Sequence, residues 1–167
     1  ITVTFGAGGV GYVPIVGDWD GDGKDTVGLY QPASGPNGVF LLRYTNSPGA
    51  ADVTVTFGAA NLTPVVGDWD GDGVDSVGTY VAASGAFFLT NSLKKMPTAD
   101  FTFTFGAANS TPIVGDWNND GTNTIGTYVS ASGVFNLRNS NSAGGADLTF
   151  GFGAAGWTPL TGNWDGF

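Results

Sequence analysis

The segment Gly17-Asp18-Trp19-Asp20-Gly21-Asp22-Gly23-Lys24-Asp25 places four carboxylates within eight residues. Like charges this close disfavour each other's ionisation unless a cation compensates them. The alternation Asp-x-Asp-x-Asp-Gly turns side-chain oxygens toward one point, and glycine permits the positive φ that closes so short a loop. Hard cations, Ca²⁺ above all, are held by oxygen ligands in such loops. The segment returns as Asp68-Trp69-Asp70-Gly71-Asp72-Gly73-Val74-Asp75. It returns again, with fewer charges, as Asp116-Trp117-Asn118-Asn119-Asp120-Gly121-Thr122-Asn123. Asn163-Trp164-Asp165-Gly166 begins a fourth copy. A chain built on such a recurrence belongs to the repeat architectures, where each unit buries its apolar face against the next.

The Gly-Asp/Asn-Trp triplets begin at Gly17, Gly67, Gly115 and Gly162, at intervals of 50, 48 and 47 residues. Pro36-Asn37-Gly38 lengthens the first interval and Leu93-Lys94-Lys95-Met96-Pro97 the second, and both read as surface-loop insertions. Each unit reads as four short strands. In the second unit these are Val65-Val66-Gly67-Asp68-Trp69, Ser76-Val77-Gly78-Thr79-Tyr80, Ala86-Phe87-Phe88-Leu89-Thr90 and Phe101-Thr102-Phe103-Thr104-Phe105. The last alternates Phe and Thr with period two, as a strand with one buried face does. Its equivalents are Ile1-Thr2-Val3-Thr4-Phe5, Val53-Thr54-Val55-Thr56-Phe57 and Leu148-Thr149-Phe150-Gly151-Phe152. No stretch of helical period is long enough to matter.

The fold class expected is all-β: tandem four-stranded repeats of about 47–50 residues, like β-propeller blades. A single repeat domain over 1–167 divides into units at 13–57, 63–105 and 111–152, with partial units at 1–6 and 158–167. In this phase the chain opens on a fourth strand and ends on a first strand, fourteen strands in all. It reads as a mature or excised portion of something longer, a partial ring or one completed by another chain.

Phe57-Gly58-Ala59-Ala60, then Pro64, then Gly67-Asp68-Trp69-Asp70-Gly71-Asp72-Gly73 resembles the FG-GAP/VCBS repeat of integrin-α-like β-propellers. The resemblance covers nearly the whole chain. It implies a Ca²⁺ ion in the loop joining the first two strands of each blade. The implied ligands are Asp18, Asp20, Asp22 and the Lys24 carbonyl, then Asp68, Asp70, Asp72 and the Val74 carbonyl. In the third copy the matching residues are Asp116, Asn118, Asp120 and Thr122. The family's last Asp stands at loop position nine, where this chain has Thr26, Ser76 and Thr124. Here the acid is at position eight, as Asp25 and Asp75, with Asn123 in the third copy. Either position eight, or the hydroxyl at nine, or a water completes the site.

Composition narrows function further. The chain has no Cys and no His, which removes disulfides, zinc chemistry and His-based acid–base catalysis together. All fourteen acidic residues are Asp, and eleven lie in the loop copies, so the net charge of −9 is made by the repeat. Five basic residues are too few for a phosphate-binding surface, so no nucleic-acid partner is expected. No apolar run approaches the roughly 18 residues that span a bilayer, so no membrane insertion is expected. No nucleophile–base pair can be assembled, and a closed Ca²⁺ cage offers no open position for chemistry; the chain is expected not to be an enzyme.

Trp19, Trp69, Trp117 and Trp164 recur at one place in every unit, which favours packing between blades over sugar stacking. Trp157 has Leu62 and Ser110 as counterparts, so no repeat role demands it, and it is the one weak candidate for ligand contact. Asn61-Leu62-Thr63 and Asn109-Ser110-Thr111 fit the glycosylation pattern but fall where Asn serves turns. The expected function is an extracellular or cell-surface calcium-stabilised scaffold, structural or adhesive. It would assemble with copies of itself, as an oligomer or filament, by strand pairing at the termini. The alternative is a lectin-like propeller with glycan partners.

Overall fold

The computed structural model describes residues 11–32, 35–162 and 164. They form twelve strands in three antiparallel sheets of four, each sheet taken from one continuous stretch of chain. The first sheet is β1 (Val13–Gly17), β2 (Thr26–Gln31), β3 (Asn37–Leu42) and β4 (Val53–Ala59). The second is β5 (Thr63–Gly67), β6 (Ser76–Val81), β7 (Ala86–Leu89) and β8 (Phe101–Thr104). The third is β9 (Thr111–Gly115), β10 (Thr124–Val129), β11 (Val134–Leu137) and β12 (Leu148–Gly151). Each strand lies beside its sequence neighbour, so every sheet is a meander of hairpins. No described residue is helical, and no helix is long and apolar enough to cross a membrane.

The sheets form because each strand alternates. In β2 the burial alternates residue by residue, with Tyr30 wholly buried, and β3 answers with Phe40 and Leu42. Tyr30 faces Phe40 across the ladder with ring centroids 4.7 Å apart, and Tyr80–Phe87 and Tyr128–Phe135 repeat that pair at the same distance. Such cross-strand aromatic pairs hold register as well as area. Pro14, Pro64 and Pro112 sit only in β1, β5 and β9, the edge strands, where a missing N–H breaks no ladder.

Units pack on one another through the loop tryptophans. Trp19 lies in one core with Tyr30, Phe40, Phe57 and, from the next unit, Val77. Trp69 lies in the equivalent core with Tyr80, Phe87, Phe105 and, from the next unit, Ile125. Trp19 and Trp69 are therefore closed to ligands. Trp117 is only partly buried, and its indole N–H donates to the Ile125 carbonyl at 3.3 Å.

Three expectations need correction. The strand entering the acidic loop stops at Gly67, before Asp68 and Trp69, because the loop's hydrogen bonds begin at Asp68. The Pro36-Asn37-Gly38 insertion is not a free surface turn. Its Asn37 starts β3, and the extra length appears as a register shift against β4 between Asn37 and Val39, a β-bulge. The fourteenth strand is not found among the described residues: 159–162 carries the pattern of β5 yet pairs with no described strand, and Leu160 is exposed. The first expected strand, at 1–5, lies outside the described residues.

Candidate metal centre

Each acidic loop joins the first two strands of its unit, and a shared backbone shapes all three. Gly21, Gly71 and Asn119 occupy one loop position with φ of 72°, 76° and 58°. Gly23, Gly73 and Gly121 occupy another with φ of 80°, 85° and 87°. Two left-handed residues two apart fold the chain around the first Asp, and Asn tolerates that region better than other side chains.

The first Asp of each loop serves as its cap. Asp18 Oδ1 accepts from the N–H of Gly21 at 2.8 Å and of Asp22 at 3.1 Å, while Oδ2 accepts from Gly23 at 2.7 Å. Asp68 accepts from Gly71 at 2.7 Å, Asp72 at 3.2 Å and Gly73 at 2.8 Å. Asp116 accepts from Asp120 at 3.1 Å and Gly121 at 2.8 Å. Around this frame, one oxygen each of Asp18, Asp20 and Asp22 lies within 4.8 Å of the others. The same holds for Asp68, Asp70 and Asp72. A carboxylate has about four lone-pair sites. Asp18 uses three of them, whereas Asp68, which also accepts from the Asp70 N–H at 3.4 Å, uses four, so in the second loop the capacity for an ion lies on Asp70 and Asp72.

The loops differ in how they balance their charge. In the first, Lys24 Nζ reaches Asp22 at 2.7 Å, and that hydrogen bond holds the Asp22 carboxyl below its ordinary range and raises Lys24. In the second, Val74 replaces that lysine, and burial, with Asp72 and Asp68 alongside, raises Asp70. In the third, the Asn118 amide donates to Asp120 at 2.9 Å, so an internal hydrogen bond stands where a carboxylate pair stands elsewhere. It is the chief cause holding the Asp120 carboxyl low. The second loop thus has most to gain from an added cation and the third least.

Loop positions eight and nine turn elsewhere. Thr26, Ser76 and Thr124 are buried within their units, and Thr26 Oγ1 donates to the Arg43 carbonyl at 2.6 Å. Asp75 reaches back to the preceding loop. The Asp18 N–H donates to Asp75 Oδ2 at 2.9 Å, and the Asp75 N–H donates to the Asp18 carbonyl at 2.7 Å. Asn123 repeats both bonds on Asp68, at 3.0 and 2.7 Å. This two-bond staple fastens each unit to the first residue of the previous loop. A side chain at Gly17 would meet the Asp75 carboxylate and the Trp19 ring at 2.9 Å, so the close approach requires glycine there. Asp25 stands at the matching position of the first unit and is exposed.

Burial pushes Asp75 up to about 6 against the pull of the Asp18 N–H, with Asp25, Asp68 and Asp18 adding repulsion. Unfolded Asp titrates near 3.9. A folded-state pKa above the unfolded one adds stability that is fully present below about 4 and lost as pH rises through about 6. In chelator, the melting temperature should therefore rise as pH falls from about 7 to about 5. Discounted for partial exposure, the Asp75 share is about 1 kcal/mol. Asp75→Asn copies Asn123, keeps both bonds and should shrink that pH dependence; an identical slope in the variant would contradict the assignment.

A second organiser escaped the sequence reading. Arg43 is buried under the β3–β4 loop, donating to the Ala50 carbonyl at 2.5 Å and pairing with Asp52 at 3.0 Å. Arg138 holds the equivalent loop of the third unit by the carbonyls of Ser142, Ala143 and Gly145. The available signal was that two of the five basic residues share one repeat position.

Trp157 is exposed on an apolar groove of about 270 Å³, with Phe152, Pro159, Leu160 and Trp164. Asn163 and Asp165 lie outside the described residues. Comparison of the chain with protein-family models, with curated proteins and with solved structures gave no match.

Proposed function

We propose that this chain is a calcium-stabilised, non-catalytic repeat module of the FG-GAP/VCBS propeller type. It works outside the cell or at its surface, as a structural or adhesive scaffold that associates with itself. The observation that carries the reading is the recurrence of a three-carboxylate cluster on the same turn in two units, with the next unit stapled to that turn's first residue. Asp18, Asp20 and Asp22, and Asp68, Asp70 and Asp72, would hold the ions, with the Lys24 and Val74 carbonyls as further ligands. A bound Ca²⁺ supplies the positive charge that lets three adjacent carboxylates ionise together. The protein's own residues do the rest: Asp18 and Asp68 fix the loop backbone, and Asp75 and Asn123 pass that rigidity to the neighbouring sheet.

Calorimetric titration with Ca²⁺ tests this. Asp70→Ala should weaken binding at the second loop by an order of magnitude or more, since it removes a charged ligand. Asn118→Ala should change Ca²⁺ binding little. Equal effects, or no binding to the native chain, would overturn the reading. Lys24→Met should tighten the first site by up to about fivefold, the worth of an exposed ion pair; weaker binding in that variant would argue against Lys24 as a competitor.

A second reading, carbohydrate binding, is favoured by the exposed Trp157 on its apolar groove. Glycan-array binding that Trp157→Ala abolishes would establish it.

A further inference from the structure

The two ends of the described structure expose residues whose equivalents are covered between units. Between units, the aromatic residues around the fourth strand are covered by the next unit. Phe57 and Phe105 are 5% and 3% exposed and pack with Val77 and Ile125 of the following unit. Their equivalent Phe152 is 71% exposed, and all of β12 lies open. The tail at 158–162 does not complete this face, because it forms no ladder and leaves Leu160 77% exposed. At the other end, Val16 is 61% exposed, whereas its equivalents Val66 and Val114 pack partly buried in the inter-unit cores.

The staple is divided in the same way. Asp18 and Asp68 each give an N–H and a carbonyl to a position-eight side chain and N–H from the next unit. Asp116 occupies the matching place and receives no such partner among the described residues. Asp25 is a position-eight residue whose exposed carboxylate meets no backbone N–H among the described residues. The donor half stands at one end of the described residues and the acceptor half at the other.

We propose that a second copy of this chain docks its first unit on the face of the third unit. Val16 and its neighbours then cover Phe152, and Asp25 accepts from the Asp116 N–H as Asp75 accepts from Asp18. The tail at 158–162 yields its place to the incoming β1. The contact is heterologous, so it closes a ring or extends a filament according to the rotation per copy. The proposal rests on the scaffold reading but not on its calcium part. It replaces pairing between terminal strands with packing of whole units.

The test is light scattering and sedimentation of the full chain over a wide concentration range, in Ca²⁺ and in chelator. The native chain should associate as concentration rises. Phe152→Asp blocks one face and Val16→Lys the other; both positions are exposed, and circular dichroism checks each fold. Each variant alone should be monomeric, and the two mixed should form a one-to-one dimer through their remaining faces. Asp25→Ala added to the Phe152→Asp chain, which presents the first unit, should weaken that dimer roughly tenfold, the worth of one charge-assisted hydrogen bond. Asp25→Asn should restore it, as Asn123 serves in that role. A native chain monomeric at every concentration overturns both this proposal and the self-associating scaffold. Association that persists in both single variants, or a mixture that yields no dimer, overturns this interface and leaves the scaffold reading standing.

Discussion

Trp69→Ala should destabilise the chain by about 3–5 kcal/mol, the usual cost of removing a large aromatic from a packed core. Trp69 is 2% exposed and sits among residues of two units, including Phe105 and Ile125. Its loss opens a cavity at a joint, where two separately folded sheets must both relax to fill it. At this chain length each kcal/mol shifts the melting temperature by about 2–4 °C, so the drop should be about 6–20 °C. Trp69→Phe should cost far less, about 1 kcal/mol, because much of the ring remains and the buried indole N–H has no hydrogen-bond partner to lose among the described residues. Trp117→Ala should be milder than Trp69→Ala, since Trp117 is only partly buried. Thermal melts of the three variants check the order. If Trp117→Ala proved as damaging as Trp69→Ala, the tryptophans would be acting within their own loops and not between units.

Much of the fold was legible because the strands alternate so strictly. Phe101-Thr102-Phe103-Thr104 could bury only one face, and β8 spans Phe101–Thr104. The acidic loops were legible because Asp and Gly recur in fixed register, and the structure gathers Asp18, Asp20 and Asp22, and Asp68, Asp70 and Asp72, into compact clusters. The partners of position eight were not legible. Asp75 and Asp18 are 57 residues apart, and nothing local to Asp75 says that it reaches the preceding loop and not its own. The Arg43 loop was hidden for a related reason: a lone basic residue in an acidic chain reads as solvated charge until its carbonyl partners are seen. The pattern at 159–162 misled because a strand needs a ladder partner as well as a sequence, and no described strand lies beside it.

Calcium should have a comparably large effect. An ion that binds only the folded chain stabilises it by about 2.7 kcal/mol per site at one hundred times the dissociation constant. Two clusters of three carboxylates then contribute about 5 kcal/mol together, a large share of the 5–15 kcal/mol typical of a domain. The gain is concentrated at turns that also carry the inter-unit staples, so it strengthens the joints as well as the loops. Loops of this kind in extracellular modules bind Ca²⁺ at about 10⁻⁴–10⁻³ M, so saturation needs a large excess of the ion. The direct measurement is the melting curve of the native chain at neutral pH in saturating Ca²⁺ and in excess chelator. The account predicts a melting temperature about 10–20 °C higher with Ca²⁺. Superimposable curves in the two buffers would contradict it.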